Sequence, residues 1–205
     1  MSKNPDYANY IKCMEELKRR QIAIDEVVSG HRSTSFKYTN IEFISLQYRK
    51  IFEPIVLASL ASHHHLFEGL TRKLTKEWEI AKIVRLVEAK NSGFYPKPID
   101  RVPSDQPGTK DNWIDVDSGF LALPELVAAH GLIGNIMHAN NPYRTESISD
   151  RLEPQFAPWR GKLLRLLNNH LVRLPEGNIL YVGMQSAETG GVHAALFGLQ
   201  TASTP

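Results

Sequence analysis

The sequence predicts an α+β protein that is mainly α, a helical bundle closed by a C-terminal antiparallel β-meander. Three observations carry this expectation. Apolar residues recur at helical spacing through most of the chain before position 169, in segments ended by Ser29-Gly30 or Asn140-Asn141-Pro142. Beyond that position the apolar period shortens to the alternation of strands. Two turn sequences, Pro175-Glu176-Gly177-Asn178 and Glu188-Thr189-Gly190-Gly191, divide this last stretch into three runs.

The elements follow in chain order. Residues 6–28 place Tyr10, Met14, Leu17, Ile22 and Ile24 among charged residues, the pattern of an amphipathic helix. Thr39 and Glu42 have capping-box spacing and predict the start of a long helix whose apolar residues cover most of its circumference, making it central, with a kink at Pro54. Thr75 is the expected N-cap of a helix through Glu88. Residues 92–119 then become rich in Pro, Gly, Asp and Ser, lose every apolar period and read as one long loop. Pro124 sits at a first-turn position of a helix over residues 125–138, and a last helix is expected over residues 155–169. Strands should cover residues 170–174, 179–184 and 192–199.

At 205 residues and 42% apolar content the chain can bury a core of its own, so it is read as a single domain over residues 1–205: helical core about 6–169, loop about 92–119, meander about 170–200. A formal charge of +2 does not demand an anionic partner. The lone Cys13 forms no internal disulfide and, beside Met14 and Leu17, reads as a packed thiol. The first residues lack the apolar core of a signal peptide, and no apolar stretch is long enough to span a bilayer, so a cytoplasmic location without membrane association is expected.

Chemistry-bearing residues fall into three groups. Arg49 and Glu53 lie one helical turn apart on the apolar central helix, which fits either an internal ion pair or an anion-binding guanidinium oriented by a carboxylate. The segment His138-Ala139-Asn140-Asn141-Pro142-Tyr143-Arg144 gathers an imidazole, two amides, a phenol and a guanidinium at a helix end; it fits a phosphate or base site as well as helix termination. His170 falls where the last helix gives way to the first strand, facing either the core or a groove. No metal is implied: His63-His64-His65 cannot converge on one ion from a helix, zinc spacings are missing, and Asp115-Val116-Asp117-Ser118-Gly119 lacks the closing acid of a calcium loop. No cofactor motif occurs either; Gly190-Gly191 has no P-loop lysine. Of strand aromatics able to stack on bases, only Tyr181 and Phe197 qualify.

The stretch Leu46-Gln47-Tyr48-Arg49-Lys50-Ile51-Phe52-Glu53, followed by Asn135-Ile136-Met137-His138-Ala139-Asn140-Asn141-Pro142-Tyr143, resembles the HEPN (higher eukaryote and prokaryote nucleotide-binding) superfamily over about residues 38–169. The resemblance implies a helical bundle, often homodimeric, that binds RNA, a nucleotide or a partner protein in a bacterial defence or stress system. Active members are metal-independent endoribonucleases with an Arg followed four to six residues later by a His. Here the positions shortly before His138 hold Gly131, Leu132, Gly134 and Asn135, and the literal match is Arg165 with His170. The expectation is therefore a nucleotide-, RNA- or partner-binding regulatory protein, with a ribonuclease as the alternative. In that alternative His138 or His170 is the base and Arg49, Arg144 or Arg165 stabilises the phosphate charge. Glu53, Asn140, Asn141, Tyr143 and Arg165 complete the expected binding residues.

Overall fold

The computed structural model describes residues 7–61, 77, 79–109, 111–138, 147–174 and 177–198, with backbone only at 59–61. Helix α1 (Ala8–Val28) buries Tyr10, Met14, Leu17 and Ile24, a stripe at helical spacing, against α2 (Lys37–Ala61). Helix α2 is the central element. It touches α1, α3 (Ile80–Glu88), α4 (Leu123–Gly134) and the short α5 (Ile148–Leu152), and its Ile41, Ile44, Tyr48, Ile51, Phe52, Ile55 and Val56 are all buried. Pro54 lies inside it. Helix α6 (Phe156–Leu167) closes the bundle with Phe156 and Trp159, which meet Tyr48 at ring-centroid distances of 5.7 and 5.4 Å. The Tyr48 hydroxyl donates to the Phe156 carbonyl at 2.8 Å, so the ring enters the core with its polar end satisfied.

Two helix starts differ from expectation. Helix α2 begins at Lys37, before Thr39, because the Thr39 hydroxyl donates backwards to the carbonyls of Phe36 (2.9 Å) and Thr34 (3.1 Å) while Glu42 faces solvent. Thr75, the expected cap of α3, lies outside the described residues. Pro124 does occupy the first turn of α4, where the Glu125 carboxylate accepts the Ala122 N–H at 3.2 Å. Helix α4 ends at Gly134, and Asn135–Met137 form a tighter 3-10 turn that leaves His138 extended.

The meander is present as β3 (Asn169–Arg173), β4 (Ile179–Gly183) and β5 (His193–Phe197), but the sheet is larger than expected. Residues 92–119 are not a loop: they contain β1 (Lys97–Pro103) and β2 (Asp111–Asp115), an antiparallel hairpin that completes a five-stranded sheet of order β2-β1-β3-β4-β5. The hairpin escaped an apolar-period reading because ions and rings occupy its facing positions. Lys97 pairs with Asp115 at 2.6 Å, Arg101 pairs with Asp111, and Trp113 stands opposite Arg101 in the register. The inner face of the sheet, His170, Val172, Leu180 and Val182, is fully buried in the helical core.

Candidate functional site

Strand alternation turns Asn169, Leu171 and Arg173 of β3 away from the helices, and the register lines Leu171 up with Tyr181 and Ala195, and Arg173 with Ile179 and Phe197. Strand β1 pairs with β3 only at Lys97 and Pro98; its remaining residues pair with β2 alone. Released from the sheet, the hairpin curls over this outer face and sets Trp113 on Tyr181, rings 5.4 Å apart and 15° from parallel. Trp113 also meets Phe197 edge-on at 5.0 Å, and His193 meets the Tyr181 ring at 5.7 Å.

Polar groups fix the stack from beneath. Arg101 Nη1 donates to the Tyr181 hydroxyl at 3.1 Å, that hydroxyl donates to Asn169 Oδ1 at 2.8 Å, and the guanidinium lies 5.7 Å from the Tyr181 ring centre. Asp111 holds Arg101 from the hairpin side. Gly183 makes room for the His193 ring, since a Cβ at this position would stand 2.2 Å from His193 Cε1 and the ring would have to shift. Tyr181 is consequently 6% exposed, while Trp113 and Phe197 remain 41% and 45% exposed. The result is a preorganised aromatic column with two rings open to solvent; Arg101 and Lys97 beside it are matched by Asp111 and Asp115, while Arg173, in register with Phe197 across β4, has no carboxylate partner among the described residues.

The residues singled out from sequence are dispersed. Arg49 Nε donates to Glu53 Oε1 at 3.0 Å, and the same oxygen receives His130 Nε2 of α4, also at 3.0 Å. The cluster joins α2 to α4, and the hydrogen bond from His130, with the nearby Arg49 charge, holds the Glu53 carboxyl below its usual range. Arg49 and Glu53 are only partly buried, at 23% and 34% exposure, so this is a half-exposed tie and not a sealed internal pair. His130 was not selected from sequence; its signal was a histidine on the buried side of α4, two turns before His138.

His138 is exposed and has no hydrogen-bond or ion-pair partner among the described residues. His170 faces the core, not a groove: it is fully buried, with Nδ1 2.8 Å from the Leu167 carbonyl and Nε2 2.9 Å from the Tyr10 hydroxyl. Arg165 is spent on Asp100 in a two-bond pair, both 2.9 Å, that ties α6 to β1. Asn140, Asn141, Tyr143 and Arg144 lie outside the described residues. Among those described, no hydrogen bond or ion pair joins Arg49, His138, His170 and Arg165 to one another. Trp113 and Arg101 were missed because both fall in the segment read as a loop.

The class that fold and site define is a mainly helical α+β protein with an aromatic column on the open face of its sheet. No protein-family model, no curated protein and no solved structure matches the chain.

Proposed function

We propose that the protein is a regulatory binding module that takes single-stranded RNA on the open face of its sheet, bases stacking on Trp113 and Phe197. The observation that carries this reading is the exposed Trp113 ring continuing the Tyr181 stack, with Arg101 beside it. Every base offers a π-face, and stacking on an aromatic side chain is worth about 1–3 kcal/mol per base. The column is held rigid before any ligand arrives, so little side-chain freedom is lost on binding. The resemblance to nucleotide-binding HEPN proteins supports the same ligand class. Cleavage is not part of the proposal: of the two candidate bases, His170 is engaged on both ring nitrogens in the core, and exposed His138 has no hydrogen bond or ion pair to an arginine among the described residues.

Fluorescence anisotropy of a labelled single-stranded RNA tests it. Trp113→Ala should weaken binding at least about fivefold, the lower bound for one lost base stack. Phe197→Ala should weaken it less, and Arg165→Ala should not change it. A mononucleotide that binds as tightly as the oligomer would restrict the site to one base, and wild-type protein with no affinity for any single-stranded RNA would sink the reading and leave a protein partner for this face.

A further inference from the structure

A second concave site lies on the other side of the molecule's last helix, between α1 and α6. It encloses about 220 Å³, and its floor is the hydrophobic core itself, built by the buried Leu17, Ile51, Leu163 and Leu167. Ile22 and Leu164 line it at 52% and 46% exposure, so two large apolar side chains stand at its mouth. Such a space is dry enough to prefer an apolar occupant: an apolar cavity of about 150 Å³ holds a benzene molecule, and this one takes a ring with one substituent.

The rim specifies the substituent. Arg160 and Asp25 close one side as a two-bond pair at 2.7 and 2.9 Å and cancel one another. Lys18 does not cancel. Its ammonium donates to two neutral acceptors, the carbonyls of Met184 and Gly190, and it has no carboxylate partner among the described residues. A lysine has three N–H donors, so one remains for a ligand. Two cations against one carboxylate give the mouth an excess positive charge.

We propose that this cavity binds a small aromatic carboxylate, ring on the leucine and isoleucine floor and carboxylate on Lys18. The site is separate from the aromatic column and does not depend on the RNA reading. Isothermal titration with an isosteric series, benzoate, benzyl alcohol and benzylamine, tests it on the wild-type chain. Benzoate should bind about tenfold tighter than benzyl alcohol, the scale of one charge-assisted hydrogen bond, and benzylamine should be weakest. Lys18→Met should erase the preference for benzoate and leave benzyl alcohol binding in place. Ile22→Trp, a change at an exposed position that narrows the mouth, should weaken all three. Benzylamine binding as tightly as benzoate, or no binding by any of the series, would overturn the proposal.

Discussion

Of the two directions open to His170, the core or a groove, its hydrogen-bond partners decide for the core. A carbonyl can only accept, so Nδ1 carries the proton toward Leu167 and the Nε2 lone pair accepts from the Tyr10 hydroxyl. The neutral form satisfies both ring nitrogens and the Tyr10 hydroxyl proton, and burial pushes the imidazole down to about 4. An unfolded imidazole takes up its proton near 6.5, so the folded state loses stability as pH falls through that value and the loss is complete only below about 4. Denaturant melts at pH 7 and pH 5 should differ by roughly 2 kcal/mol on account of this residue. His170→Gln should flatten the dependence, and an unchanged profile would show that the ring is not the buried titrating group. Glu53 makes a contrasting case. Because its carboxylate is a third exposed, Glu53→Ala should cost about 1–3 kcal/mol, less than a sealed ion pair would, with the lost partner of His130 contributing most. Thermal unfolding checks the size; a loss above about 4 kcal/mol would mean the cluster is sealed from water.

At the scale of elements, helices were legible and the hairpin was not. Tyr10, Met14, Leu17 and Ile24 announce α1 because each faces one core, and Leu180 with Val182 announces β4 for the same reason. Strands β1 and β2 bury little: β2 is exposed at Asn112, Trp113, Ile114 and Asp115, and two prolines sit in β1. Their stability comes from cross-strand ion pairs and from Trp113 packing on a ring three strands away, which no local period records. The same contact predicts the hairpin's protease behaviour. In native protein trypsin should cut slowly after Arg101, whose guanidinium is bonded to Asp111 and Tyr181. Trp113→Ala should accelerate that cut, read by mass spectrometry of the digest; equal rates would mean the hairpin is anchored elsewhere.

At the scale of the whole molecule, the cations flanking the aromatic column on the hairpin and several of those on α6 are neutralised in place. Lys97 and Arg101 on the aromatic column, Arg160 and Arg165 on α6 all have Asp partners, against a formal net charge of +2. RNA binding driven by stacking on such a face should release few counterions. Each phosphate neutralised contributes a slope of about −0.7 to the logarithm of affinity against the logarithm of salt, and the total here should stay shallower than about −2. A steep slope in an anisotropy titration would move the interface to a basic surface elsewhere. Among the described residues no helix is long and apolar enough to cross a membrane. The candidate site was less legible than the fold, since its four aromatic or basic members, Arg101, Trp113, Tyr181 and Phe197, come from four strands and meet only when the hairpin curls over.

The long-range hydrogen bonds of helix α1 run mostly to residues made much later than itself. Tyr10 reaches His170, Lys18 caps Met184 and Gly190, and Glu15 accepts the Val192 N–H at 2.6 Å, across separations of 160 to 177 residues. During synthesis at about 5–20 residues per second, α1 waits on the order of ten seconds or more before those acceptors and donors emerge. Over that interval it can dock on α2 but its remaining polar ends stay in water, so completing its contacts requires a long-range closure of high contact order. A chain halted before β3 would hold the apolar stripe of α1 against α2 without the sheet, the form most exposed to chaperones and proteases.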